Sequence, residues 1–315
     1  MRVDSRLILS LLKPVGKVLR EGVESKLNSQ RQNITTTQQK HQHMNLTPRS
    51  LISKASGLAL LGLLSTSTAF AAAPDGAGDL KPDDIVGISF WIISMALVAA
   101  TAFFFLETQR VTPKWKTSLT VSGLVTMVAA THYFYMRQVW VTTGNTPTVF
   151  RYIDWLITVP LLMVEFYLIL SAITKVPAGV FWRLMIGTIV MLVGGYVGEA
   201  GYMNAWLAFI IGMAGWAFIL WEIFLGEAGK INARSAPPAV QSAFSLMRWI
   251  VVIGWAIYPI GYFLGYLTGA SPEKSMVMLN VVYNLADVVN KIAFGVIIWI
   301  AATSESDKVL NPSKA

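Results

Sequence analysis

Residues 281–304 read VVYNLADVVNKIAFGVIIWIAATS. In this stretch Lys291 is followed by an apolar run and preceded, one helical turn earlier, by Asp287. Residues four apart lie on one helix face, so the two side chains meet. A charge at membrane depth costs several kcal/mol, which makes the pair a candidate functional site. One reading is a structural ion pair tying this segment to its neighbours. The other is a lysine in a dry pocket, set to form a Schiff base with a carbonyl compound, with the aspartate as counter-ion.

Composition assigns the class. The 315 residues are 54% hydrophobic and 13% charged, with a mean hydropathy of +0.55. These are values of an integral membrane protein and not of a soluble domain. The formal net charge of +8 therefore does not imply nucleic-acid binding, because much of the excess sits in the first 54 residues and in short loops between apolar segments. Cysteine is absent, which excludes a disulfide, a thiol nucleophile and a cysteine metal site. Of three histidines, His41 and His43 fall in a polar stretch, which leaves little material for a metal centre.

The N-terminus has two layers. From Met44 the chain reads MNLTPRSLISKASGLALLGLLSTSTAFAAAPDG, with basic Arg49 and Lys54, a short apolar core and the small-residue run Ala69-Phe70-Ala71. This pattern predicts a signal peptide over 44–71, cleaved after Ala71. Residues 1–43 form a polar, basic extension with one weakly amphipathic stretch, RLILSLLKPVGKVLREGV. A misassigned start upstream of Met44 is the expectation, with a surface-lying amphipathic helix as the alternative. Residues 72–84 read as an extracellular linker.

Seven apolar segments of bilayer length follow, at 85–107, 115–140, 149–174, 181–199, 205–225, 240–267 and 276–303. An all-α, seven-transmembrane-helix bundle is the predicted fold, with residues 304–315 as a cytoplasmic tail. The loops after the first, third and fifth spans carry Arg110, Lys114, Lys116, Lys175, Arg183, Lys230 and Arg234, whereas the alternate loops hold only Lys274. The positive-inside rule then places the mature N-terminus outside and the C-terminus in the cytoplasm. No internal repeat is evident, which weakens a secondary-transporter reading.

The third span, VFRYIDWLITVPLLMVEFYLIL, carries the densest chemistry. Asp154, Thr158 and Glu165 are spaced by four and seven residues, and eleven steps of 100° return to within about 20° of the same face. Glu165 stands ~16 Å further along the axis than Asp154. Two carboxylates at different depths, flanking a central lysine, describe a proton path with an acceptor on the outer side and a donor on the cytoplasmic side. The competing reading is that both merely satisfy polar neighbours.

Arg151, one turn outward of Asp154, is placed to pair with Asp154 and Asp287; an interfacial, snorkelling arginine is the alternative. His132 is the single histidine within the spans, expected to hydrogen-bond Asp154 directly. Trp155, Trp216, Trp255, Tyr258 and Tyr283 suggest an aromatic cavity, and Pro259 predicts a kink in the sixth span.

The motifs RYIDWLITVPLL (151–162), PAVQSAF (238–244), GWAIYPIGY (254–262) and NLADVVNK (284–291) occur in order from about Val86 to Ile300. This arrangement resembles the proteorhodopsins, a branch of the microbial (type 1) rhodopsin family. The resemblance implies all-trans retinal bound covalently to Lys291 as a protonated Schiff base, buried at the centre of the bundle, and light-driven outward proton pumping. It implies Asp154 as proton acceptor and primary counter-ion, Asp287 as second counter-ion, Glu165 as cytoplasmic donor, His132 as partner of Asp154 and Arg151 as a member of the counter-ion cluster. The triplet Asp154, Thr158, Glu165 is similar to that of the outward proton pumps and unlike the Asn-Asp-Gln pattern of the sodium pumps. Leu162 occupies the colour-dividing position, and leucine resembles the green-absorbing members. A homo-oligomer of five or six chains in a bacterial inner membrane is further implied, and the long N-terminal extension departs from the family pattern. A sensory rhodopsin signalling through a partner is the alternative, and the carboxylate at Glu165 speaks against it. A non-photochemical transporter would lack the lysine-aspartate turn.

Overall fold

The structure, a computed structural model, describes residues 81–268 and 272–310. The expected extension, the signal peptide and most of the linker lie outside the described residues. The described chain is helical, without a strand. Helices α1 (Ile85–Glu107), α2 (Pro113–Thr143), α3 (Thr148–Ser171), α4 (Ala178–Glu199) and α5 (Ala205–Phe224) are followed by a short α6 (Glu227–Ser235). The sixth span is composite: α7 (Pro238–Trp249), a π-helical turn (Ile250–Gly254), α8 (Trp255–Tyr262) and a second π turn (Phe263–Leu267). The seventh is α9 (Pro272–Leu310).

Six of these spans are long and apolar enough to cross a bilayer by composition alone. The seventh, α2, is long enough at 31 residues but carries Lys114, Lys116, His132 and Arg137 together with a row of hydroxyls. Its Ser118, Ser122 and Thr126 recur every four residues and are all buried. They face protein and not lipid, so the polarity does not prevent α2 from taking its place between α1 and α3.

Neighbouring helices lock by different devices. On α1, Phe90, Leu97 and Phe104 recur every seven residues and are fully buried, and Thr101 Oγ1 donates to Thr126 Oγ1 of α2 at 2.9 Å. Helices α4 and α5 approach through glycine. A Cβ at Gly194 would stand 2.8 Å from the Gly212 nitrogen, and one at Gly215 would stand 2.5 Å from the Met191 nitrogen. Close backbone approach of this kind is how membrane helices gain dispersion energy that lipid cannot match.

Residues 304–310, expected as part of a tail, continue α9 as helix. The extension has a job: the N–H of Thr112, which opens α2, donates to Ser306 Oγ at 2.9 Å. A helix start otherwise leaves such donors unpaired.

Pro259 lies within α8 of the sixth span. The span widens into π turns on both sides of that helix. In the first, the Trp255 N–H reaches back to the Ile250 carbonyl, five residues away, and the carbonyls so displaced find other donors. Trp216 Nε1 donates to Val251 O at 3.0 Å and Asn290 Nδ2 to Gly254 O at 3.1 Å. A proline that removes a backbone donor, and a π turn that shifts the register, are both tolerated where side chains re-satisfy the backbone.

Candidate functional site

Lys291 Nζ stands 2.9 Å from Asp154 Oδ2 and 2.9 Å from Asp287 Oδ2, and all three side chains are buried. Helix α9 supplies Lys291 and Asp287 one turn apart, while α3 brings Asp154 from across the bundle. A buried cation between two buried carboxylates is kept only where the geometry is good and the remaining lone pairs are filled.

The two carboxylates are filled very differently. Asp287 accepts from Tyr258 Oη at 2.6 Å, from Tyr133 Oη at 2.7 Å and from Trp155 Nε1 at 3.1 Å, in addition to its lysine. Asp154 accepts from Lys291 on Oδ2, while its buried Oδ1 has no hydrogen-bond partner among the described residues. Thr158 is buried on the same seam, but its hydroxyl donates to the Asp154 backbone carbonyl at 2.9 Å and not to the carboxylate.

Two sequence expectations are corrected. Arg151 makes no direct ion pair with Asp154 or Asp287. Its Nη2 donates instead to Asn280 Oδ1 at 2.9 Å and Asn284 Oδ1 at 3.0 Å, and its guanidinium lies against the rings of Phe90 and Tyr283 at 5.7 and 5.5 Å. The reason is competition: hydroxyl and indole donors already occupy Asp287, and α9 offers two amide oxygens on the turns nearer the arginine. Nor is Arg151 a snorkelling residue, since it is 1% exposed. His132 does not hydrogen-bond Asp154. Its Nδ1 is 3.9 Å from Oδ1 and 2.9 Å from the carbonyl of Val128, one turn back on its own helix, so that local bond holds the ring beside the carboxylate.

Lys291 and Asp287 form one wall of an internal cavity with about 820 Å³ of space free of atoms, counting the solvent at its mouth. The predicted aromatics Trp155, Trp216, Trp255, Tyr258 and Tyr283 all line it, as does Leu162. The lining is mostly apolar with a few convergent polar groups, the make-up of small-molecule sites. Gly254 admits this arrangement, because a Cβ there would collide with the Asn290 amide that reaches its carbonyl.

Glu165 occupies the other half of the bundle. It is fully buried, accepts from Ser122 Oγ at 2.9 Å through Oε1, and its Oε2 has no partner among the described residues. The Phe166 ring next to it packs edge-on against Phe244 and Phe294, with centroids 5.0 and 5.6 Å away.

Sequence reasoning overlooked Tyr133, Ser122, Asn280, Asn284 and Asn290. A signal for the asparagines was present: positions 280, 284, 287 and 291 advance by four, three and four, a continuous polar stripe on α9. Glu199 was also missed. It closes α4, lines the cavity, and accepts from Tyr152 Oη at 2.8 Å and Tyr266 Oη at 3.2 Å.

Residues 84–305 match the model of the family described as bacteriorhodopsin-like protein. The chain is 57% identical over 249 residues to the green-light absorbing proteorhodopsin of Gamma-proteobacterium EBAC31A08, covering 79% of this chain and 98% of that protein. It is 55% identical over 249 residues to the blue-light absorbing proteorhodopsin of Gamma-proteobacterium Hot 75m4, covering 79% and 97%. Among solved structures, the blue light-absorbing proteorhodopsin from Med12 aligns with a TM-score of 0.61 at 53% identity, over 70% of this chain and all of that one.

Proposed function

The chain belongs to the bacteriorhodopsin-like protein family, and we propose that it is a light-driven proton pump moving protons from the cytoplasm outward, with retinal carried on Lys291. The observation that carries this reading is Lys291 Nζ held 2.9 Å from each of two buried carboxylates in the wall of an aromatic-lined cavity.

The residues present suit the cofactor. A long apolar polyene needs apolar walls and one reactive amine at its end, and the cavity has both in Trp155, Trp216, Trp255 and Lys291. When bound, retinal supplies visible absorption and a light-driven change of shape that moves the Lys291 nitrogen. Everything else is done by the chain.

Asp154, not Asp287, accepts the proton from Lys291. Tyr258, Tyr133 and Trp155 donate to the Asp287 carboxylate, and each bond made to the charged form resists protonation. Asp154, whose Oδ2 is at the same 2.9 Å reach, keeps Oδ1 without a hydrogen-bond partner among the described residues. Glu165 returns a proton to Lys291 from the opposite side, ~16 Å away along α3. Asp154 then releases its proton toward the end of the bundle where α3 begins. Because Asp154, Asp287 and Lys291 interact, their titrations belong to the cluster.

The basic loops after α1, α3 and α5 support this direction: on the positive-inside rule the end of α3 and the C-terminus face the cytoplasm, and the membrane of the proposal is a bacterial inner membrane. A leucine at position 162 in the cavity wall goes with green absorption, and a homo-oligomer completes the assembly. The test is illumination of cells making the chain with added retinal. External acidification, abolished by a protonophore, is the expected result; light-induced alkalinisation or no response would overturn it.

A further inference from the structure

Arg248 lies in the sixth span, on the last turn of α7. Its guanidinium packs over the Phe224 ring at 4.7 Å and the Phe244 ring at 5.5 Å, and its Nε is buried without a hydrogen-bond partner among the described residues. Among the described residues no carboxylate forms an ion pair with it. The acid groups nearest in sequence to its ring partner Phe224, buried Glu222 and half-exposed Glu227, are engaged by Arg183 at 2.6 and 2.7 Å. The level of Arg248 can be read from its ring partner. Phe224 closes α5, whose 20 residues span ~30 Å, the thickness of the hydrocarbon core, so the guanidinium stands at the headgroup boundary. The surface beside it faces lipid: Trp221 and Trp249 are 48% and 52% exposed, and Trp249 packs edge-on against Phe224. Tryptophans of this kind mark the headgroup level.

We propose that the seam between α5 and α7 holds the phosphate of an anionic phospholipid, with Arg248 as its ligand and Trp221 and Trp249 flanking the acyl chain. Charge complementarity selects this occupant: the guanidinium has no anion partner among the described residues, and it lies at the end bearing Lys230 and Arg234, which the basic loops assign to the anionic cytoplasmic leaflet. The inference rests on the membrane-spanning reading of this helix and not on proton transport, so it can fail while the pump reading stands.

The test uses the full chain with retinal, taken from vesicles of equal parts phosphatidylglycerol and phosphatidylcholine into mild detergent, with retained lipids counted by native mass spectrometry. The wild type should retain phosphatidylglycerol about fivefold over phosphatidylcholine, the factor expected of one basic residue at an anionic surface. Arg248→Met should bring the ratio near parity, while Lys308→Gln, at an exposed position on the end of α9, should leave it unchanged. The visible absorption band reports folding of each variant; should Arg248→Met not yield it, Arg248→Gln makes the same comparison. A wild type without preference, a variant that keeps it, or displacement of the lipid by millimolar inorganic phosphate would each overturn the assignment.

Discussion

The two halves of α3 face opposite kinds of interior. Around its first turns, Asp154 and the neighbouring Asp287 sit in a dense polar network of Lys291, Tyr133, Tyr258, Trp155, Arg151 and two asparagines. Around its later turns, Glu165 meets, among the described residues, only serine hydroxyls of α2, Ser122 and Ser118, beside a plug of phenylalanine rings. The same helix face thus carries one carboxylate in a polar, charged site and one in a nearly dry site. The difference teaches how one seam supports two roles. A charge persists where partners surround it, and the proposed donor role of Glu165 suits an acid kept where water has little access.

The largest expected effect breaks the network at its centre. Lys291→Ala should yield folded protein with no visible band after retinal is added, measured by absorbance; a hydroxylamine-sensitive band in that variant would remove Lys291 from the mechanism. Next, Asp154→Asn should abolish transport and shift the absorption to the red, since it removes the negative charge beside the lysine nitrogen. The same sign follows for pH in the wild type: acid protonates Asp154, so the red shift grows as pH falls and reverses as it rises. Unchanged colour across the acidic and neutral range would mean that Asp154 is not the counter-ion. Asp287→Asn should instead act mainly on stability, lowering the thermal midpoint by several degrees more than Asp154→Asn, because it disrupts the better-filled buried network.

The dry half gives smaller effects. Glu165→Gln should keep the ground-state colour but slow decay of the deprotonated, blue-shifted state by on the order of 10²-fold, the lower range for loss of a general acid. The delay should lengthen as pH rises, and azide should shorten it; normal decay by flash photolysis would leave Glu165 a structural residue. Smallest is Ser122→Ala. Removing one hydrogen bond worth ~1 kcal/mol should change that decay by about fivefold, and an effect as large as that of Glu165→Gln would show the comparison of the halves to be drawn in the wrong place.

Relations within one helix were legible in the sequence. The Lys291–Asp287 turn and the shared face of Asp154, Thr158 and Glu165 follow from helical periodicity alone, and the structure buries all five. Relations between helices were legible only in part. Arg151 was assigned to carboxylates and binds Asn280 and Asn284. His132 was assigned to Asp154 and bonds Val128. Each depends on how two helices are rotated against one another, which periodicity within either does not specify. Local bonds also compete: a histidine Nδ1 can reach a carbonyl of its own preceding turn before it reaches across to a neighbour. The π turns beside Pro259 were equally invisible, because the donors that sustain them, Trp216 and Asn290, come from other helices.

The first of those π turns has a consequence for what the chain tolerates in its length. A π turn is one residue inserted into an α-helix, so deleting a single residue from 250–254 would restore an ordinary helix and rotate everything before it by about 100° relative to α8. Phe244 and Met247, both fully buried, would turn off the core, and the Val251 carbonyl would no longer be offered to Trp216. A point deletion, normally the mark of a dispensable position, would here undo the phase between the cavity and the half of the same helix that begins at Pro238.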